Sequence, residues 1–337
     1  MNDRTGKSIF ITGASSGLGR ATAKLFASRG WKVIATMRNP ERDAELKNIS
    51  GVTLMSLDIT DPQQIKTAAE QAVAMHGLDV VFNNAGYGLA GPLEGLADEQ
   101  IVRMVNTNLM GTIRTTKAFI PHFREKRSGL FINTTSIGGL ITVPFNSIYH
   151  ATKWALEGWS ESMAFELNQF GIRMKILEPG GMKTDFFTRS FDTGRHQEYD
   201  KLVDRVMAVI TDPKQMETYS SPDQIAEVVY EAATDGKDQL RYVAGADAKA
   251  TYASRLQLGD EKFRKAMDKQ FFWVGSCLLT LALVATRRLA HVPAEGAAIV
   301  VDDLPRADAP RPRGIKVHGR ARILQAESHL GPAECIR

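Results

Sequence analysis

Cysteine is scarce: 337 residues contain two, Cys277 and Cys335, both late in the chain. That excludes a small disulfide-stapled fold, offers no structural metal site, and fits a reducing, cytoplasmic setting. No long apolar stretch precedes a cleavage signal. The N-terminus, MNDRTGKSIFITGA, runs straight into a strand pattern, so a secretory leader is not expected. No basic stripe with interleaved aromatics occurs, so nucleic acid is not an expected partner despite the net charge of +4. Much of that charge lies late, with nine Lys/Arg against six Asp/Glu over 286–337.

Long hydrophobic runs are also missing. The longest, FFWVGSCLLTLALVA, begins at Phe271 and falls short of the roughly 20 apolar residues that a membrane span needs. We read 271–288 as an apolar helix, buried or packed against another subunit, with membrane association as the less favoured alternative. Residues 289–337 are rich in Pro, Arg, Asp and Ala with little periodicity, and are expected to form a disordered, atypical tail.

The rest is patterned. Short apolar, β-branched runs at 8–12, 32–37, 52–57, 78–83, 129–134, 173–178 and, more weakly, 240–244 alternate with helical patterns such as 19–28 and 62–75. This rhythm predicts an α/β fold, a doubly wound, mostly parallel sheet of about seven strands in one domain over residues 1–270. The stretch 181–221 breaks the rhythm and is expected to be a lid.

After the first strand comes TGASSGLGR. Gly13, Gly17 and Gly19 stand where a tight turn, close approach to a pyrophosphate and a helix N-terminus would be combined. At the end of the second strand, VIATMRNP has no acid but has Arg38, which suits a 2′-phosphate; Arg20 is a candidate second cation. NADP is therefore expected over NAD. The alternative is that Arg38 is an ordinary surface charge.

In SIYHATKWAL, Tyr149 stands four residues before Lys153; none of the other six tyrosines has lysine at that place. On a helix the two share a face. A phenol of pKa near 10 is a poor base at neutral pH. A neighbouring ammonium is expected to lower that value by about 1–3 units. Ser136, just past a strand end, is placed to polarise a substrate oxygen, or merely to cap a turn. His150 points about 100° away and is not expected to act in catalysis.

Together these motifs resemble the short-chain dehydrogenase/reductase family over about residues 5–270: TGASSGLG at 12–19, LDIT at 57–60, NNAG at 83–86, Asn108 in NTNLMG, Ser136 in NTTSIGG, YHATK at 149–153 and PGGMKT at 179–184. Within it, NNAGYGLAGPLE and LEPGGMKTDF are most similar to the 17β-hydroxysteroid dehydrogenase-like branch. The resemblance implies a Rossmann fold, hydride transfer to or from NADP(H), and catalysis by Tyr149, Lys153, Ser136 and Asn108. Lys153 would also hold the nicotinamide ribose, and Asn108 would position a water for proton relay. Cofactor positions implied by motif are Ser15, Ser16 and Leu18 in the turn, Asp58 and Ile59 at adenine, Asn84, Ala85 and Gly86 at the adenosine ribose, and Pro179, Gly180 and Thr184 at the nicotinamide. Asn83 is expected to be structural. A homodimer or homotetramer is implied, with Trp154 and Trp159 as packing or subunit contacts.

Met182, Phe186, Phe187, Phe191, Tyr199 and Met207, with Tyr87 and Leu89, suggest an apolar pocket for a steroid-, retinoid- or fatty/aromatic-ketone-like substrate, unless they simply close the core. Two other readings stay open: a regulator that senses NADP(H) without turnover, and a membrane-attached lipid-modifying reductase.

Overall fold

Period-2 alternation decides which face of the sheet each strand residue covers. In the computed structural model, which describes residues 6–184 and 190–272, the main sheet is built from β1 (Ser8–Ile11), β2 (Lys32–Met37), β3 (Val52–Ser56), β4 (Val80–Asn83), β6 (Gly129–Thr134), β7 (Ile172–Pro179) and β9 (Arg241–Ala244). Two short strands, β5 (Gly88–Ala90) and β8 (Phe191–Thr193), pair separately. The main sheet runs in the order β3-β2-β1-β4-β6-β7-β9, with every neighbour parallel. Ile9, Val33 and Val80 bury on one side; Phe10, Ile34 and Val81, one residue on, bury on the other. Each such side chain contributes about 1.5–3 kcal/mol by leaving water.

Helices cover both faces. On one side α1 (Gly17–Ser28) lies against α8 (Pro222–Thr234), burying Phe26 and Val229. On the other are α2 (Pro62–His76), α4 (Gly111–Lys126) and α5 (Ser147–Asn168). Helix α2 starts where Asp61 accepts from the backbone N–H groups of Gln63 and Gln64 at 2.8 and 3.2 Å, and stops at Gly77, whose φ is 60°. A π-helical stretch, Val105–Met110, joins α3 (Asp98–Met104) to α4. The strand order reverses between β1 and β4, so a crevice opens outside their carboxyl ends.

The stretch 181–221, read as an inserted lid or loop-helix region, carries one short strand and two helices among its described residues. β8 pairs parallel with β5, and α6 (Asp200–Ile210) and α7 (Pro213–Glu217) follow. Helices α9 (Ala246–Leu258) and α10 (Asp260–Phe272) complete this side. Phe263, Met267 and Phe271 of α10 meet Ile141 and Val206 in a third apolar cluster. Of the expected apolar helix over 271–288, Phe271 and Phe272 fall within α10; 273–288 and the tail at 289–337 lie outside the described residues. Among the described residues no helix is long and apolar enough to cross a membrane.

Candidate active site

The glycine turn is held from below by the amides that follow β4. The Thr12 hydroxyl accepts from the N–H groups of Asn84 and Ala85 at 2.9 and 3.0 Å. The Asn84 side chain donates back to the carbonyls of Thr12 and Gly13 at 3.1 and 3.2 Å. Gly13 has φ of 69°, and a Cβ there would lie 2.8 Å from the Ala85 Cα. A Cβ on Gly19 would collide with the Gly13 carbonyl. Only glycine lets α1 begin so close to the turn, leaving its first N–H groups free for an anion. Asn83, as expected, is structural: its amide donates to Thr116 and Asn133 inside the core at 3.0 and 2.8 Å.

One cavity of about 1780 Å³ runs from this turn to the catalytic candidates. Gly13, Ser15, Ser16, Gly17 and Leu18 line one end, with Arg38, Asp58, Ile59, Asn84, Ala85 and Gly86. Ser136, Tyr149, Lys153, Pro179, Gly180 and Thr184 line the other. Gly19 and Asn108 support the cavity without lining it. Asp58 closes a turn, its Oδ1 accepting from the Thr60 N–H and hydroxyl at 2.9 and 2.7 Å. Arg38 is exposed at the rim, and among the described residues its guanidinium has no ion-pair partner. Arg20, the candidate second cation, also lines the cavity but is engaged by acids. It is bound to Asp43 at 2.6 Å, Glu45 at 3.0 Å and the Ser15 carbonyl at 2.6 Å, so its charge is already neutralised.

Tyr149 and Lys153 share one face of α5, and the Lys153 Nζ lies 5.7 Å from the centre of the Tyr149 ring. Nζ donates to the carbonyl of Thr134, the last residue of β6, at 3.0 Å. Ser136 caps a turn and faces the tyrosine. Its Oγ accepts from the Gly138 N–H at 3.0 Å as a turn cap, and the hydroxyl also bonds the Tyr149 phenol. The expected lowering of the Tyr149 pKa is not found. Burial is the dominant influence and pushes the phenol up, with the Ser136 bond opposing it. The reason is that burial penalises both charged partners. The Lys153 ammonium is itself brought down to about 8 by burial, against the pull of Glu157.

Asn108 is buried in the π-helical stretch. Its Oδ1 accepts from the Tyr87 N–H at 3.0 Å, and its Nδ2 donates to the Tyr87 carbonyl at 2.9 Å and to Met104 Sδ at 2.9 Å. The side chain is thus tied to the Gly86–Tyr87 backbone beside Lys153. A Cβ on Gly86 would come within 3.2 Å of Asn108 Oδ1 and 3.9 Å of Lys153 Nζ, which places the three groups side by side.

Two supporting residues escaped the sequence reading. His150 accepts from the Val143 N–H at Nε2 (2.9 Å), so its Nδ1–H donates to the Gly138 carbonyl at 2.7 Å. Burial lowers its pKa, and the neutral ring pins the loop that follows Ser136. Asp247, at the start of α9, accepts from the Gly181 N–H at 2.7 Å and fixes the Pro179–Gly181 turn. Neither has a spacing signature, because each acts on a backbone distant in sequence. Of the apolar residues proposed for the pocket, Met182, Phe191 and Tyr87 line the cavity. Leu89 is buried, Tyr199 packs on Phe145, and Met207 is half-buried outside it. Phe186 and Phe187 lie outside the described residues. The apolar wall comes instead from Ile141, Val143, Val209, Leu258, Phe263, Met267 and Phe271. The i, i+4, i+8 spacing of Phe263, Met267 and Phe271 was a legible signal for one helix face.

A family model described as short chain dehydrogenase matches residues 7–195. The chain belongs to the short-chain dehydrogenase/reductase family. It is 37% identical over 235 residues to an uncharacterised oxidoreductase of Schizosaccharomyces pombe, covering 69% of this chain and 99% of the relative. It is 33% identical over 252 residues to human 17-beta-hydroxysteroid dehydrogenase type 1, covering 69% and 76%. Among solved structures, one described as ElxO with NADP bound is 25% identical with a TM-score of 0.62, covering 73% of this chain and 99% of that one.

Proposed function

We propose that this oxidoreductase uses NADP(H) and moves a hydride between the nicotinamide and a hydroxyl or carbonyl carbon of a lipophilic substrate, with Tyr149 as acid and base. The observation that carries this reading is the meeting of Ser136, Tyr149 and Lys153 at the carboxyl end of β6, in the cavity that also holds the glycine turn. The residues present fit the cofactor. Gly13 and Gly19, where a Cβ would strike Ala85 and the Gly13 carbonyl, let the turn close tightly before α1, and among the described residues Arg38 has no ion-pair partner where β2 ends without an acid. NADP(H), when bound, supplies or accepts the hydride.

The chain's own groups do the remainder. Ser136 holds the substrate oxygen by its hydroxyl. Tyr149 gives that oxygen a proton in reduction and takes it back in oxidation. Lys153 sets the local charge and binds the nicotinamide ribose. Asn108 holds the Gly86–Tyr87 backbone beside them. Asp58 and Ile59 receive the adenine, Ser15, Ser16 and Leu18 the phosphates, and Thr184 the carboxamide. The apolar wall favours a steroid-, retinoid- or fatty/aromatic-ketone-like substrate over a polar one. The chain's similarity to human 17-beta-hydroxysteroid dehydrogenase type 1 supports the same choice. Residues 1–270 form the enzyme domain in this reading, and the scarcity of cysteine supports a cytoplasmic setting. Assembly as a homodimer or homotetramer belongs to the same proposal, supported by Trp154 and Phe165, exposed eleven residues apart on α5.

With a lipophilic ketone as substrate, Tyr149→Phe abolishes turnover while NADPH still binds, as a fluorescence titration will report. Retained turnover would remove Tyr149 from the chemistry, and turnover confined to sugar phosphates would overturn the substrate class. The ratio of kcat/KM for NADPH to that for NADH exceeds one and falls in Arg38→Ala; a preference for NADH in the parent would end the role given to Arg38.

A further inference from the structure

Beneath Lys153 lies a group of buried charges that this chemistry does not use. Glu157 follows Lys153 by one turn of α5, on the face that also carries Tyr149. Its Oε1 accepts from the Thr135 hydroxyl at 2.6 Å, and its Oε2 from Arg241 Nε at 3.1 Å. Glu178, on β7, is fully buried, and neither of its carboxyl oxygens has a hydrogen-bond partner among the described residues. The same Arg241 Nε is 3.7 Å from Glu178 Oε1, and the Arg241 Nη2 is bound to Glu161 at 2.7 Å. Thus α5, β7 and β9 bring two buried carboxyl groups together against one guanidinium that is already shared. None of Glu157, Glu178 and Arg241 lines the cavity.

We infer that Glu157 is a positioning residue whose carboxylate keeps Lys153 an ammonium at neutral pH, while Glu178 holds the proton of the acid pair. The inference rests on the role given to Lys153 above. Two ionised carboxylates cannot both be accommodated here, because an ionised group buried without donors is costly. Glu157 has two donors at hydrogen-bond distance, whereas Glu178 has none so close and draws only on the nearby backbone N–H groups of Tyr242 and of Glu178 itself, so the charge settles on Glu157. Burial and the Glu157 charge push Glu178 up to about 9, in keeping with that division. Burial also raises Glu157, but Thr135 and Arg241 hold it down. Lys153 needs such a neighbour. Its ammonium has a single hydrogen-bond acceptor, the Thr134 carbonyl, and burial has already brought it to about 8, with Glu157 the opposing influence. The titratable groups that face it are Tyr149 and Glu157 of α5; Glu157 in turn faces Glu178 from β7 and Arg241 from β9.

The test is an NMR titration of the Lys153 side chain in the full-length protein without cofactor, beside the pH profile of kcat/KM. Glu157→Gln lowers the Lys153 midpoint by about one pH unit and shifts the alkaline limb of the profile the same way. Glu157→Asp, which keeps the charge, restores most of both. Glu178→Gln replaces a neutral carboxyl by a neutral amide and leaves the Lys153 midpoint in place. An unmoved midpoint in folded Glu157→Gln overturns the inference. So does a midpoint that drops in Glu178→Gln, and this arm decides the matter should Glu157→Gln not fold. Because the titration needs no turnover, it stands apart from the Tyr149→Phe experiment: either can fail alone.

Discussion

Two lysines are buried among the described residues, and they are treated in opposite ways. Lys175, on β7, uses all three of its donors: the Ala232 carbonyl at 2.9 Å, Asp235 at 2.7 Å and the Tyr242 hydroxyl at 2.8 Å. Tyr242 closes the ring by donating to the other oxygen of Asp235 at 2.7 Å. Burial pushes the Asp235 carboxyl up, but the bonds from Lys175, Tyr242 and the Lys237 backbone outweigh it and hold the group at about 2. Lys153 has one acceptor, and behind it stands an acid with none of its own bonds made. The first lysine is a closed network that ties β7 and β9 to the end of α8. The second makes fewer bonds and lines the cavity. Buried ion pairs are therefore not one kind of object; the count of completed hydrogen bonds separates the structural from the chemical.

The contrast is tested most strongly by removing each lysine in turn. Lys153→Met costs turnover on the order of 10²–10⁴-fold, the usual weight of a group supporting proton transfer, and its urea midpoint does not fall. Lys175→Met leaves Asp235 buried without its cation and loses about 3–5 kcal/mol of stability, with turnover per folded molecule intact. Equal stability losses in the two variants, by urea unfolding, would erase the distinction. A smaller effect is expected at Glu178. Its group is held up at about 9 from an ordinary 4.5, so the folded state binds a proton that the unfolded state releases between those values. The stability it brings is present below 4.5 and lost as pH rises toward 9. Glu178→Gln removes that loss, so its melting temperature declines less than the parent's between about pH 5 and 9. Parallel decline in the two proteins would show that Glu178 is ionised throughout.

Much of the frame was legible beforehand. Strands at 32–37 and 129–134 match residue for residue; four others are one or two residues shorter than expected, where apolar character outlasts the hydrogen-bonded ladder, and β7 is one residue longer at each end. The pairing of Gly88–Ala90 with Phe191–Thr193 was not legible, since three residues carry no pattern and their partners lie a hundred residues apart. At the site, the Tyr149–Lys153 spacing identified the pair but not the direction of the phenol's shift, because burial raises it more than the Ser136 bond lowers it. Arg20 offered a charge whose partners, Asp43 and Glu45, were more than twenty residues away. Asn108 was singled out by motif, yet its contacts with Tyr87 emerge only where α3 and α4 are joined by a π turn.

Residue order alone determined what is local here: alternation that makes strands two-faced, glycines that admit a tight turn, and a tyrosine and lysine set one helical turn apart. Tertiary structure decided the protonation of those groups. Charge states follow from solvent exclusion and from partners on other strands, and Glu157 meets Arg241, which in turn reaches Glu178, only when α5 is packed against the sheet.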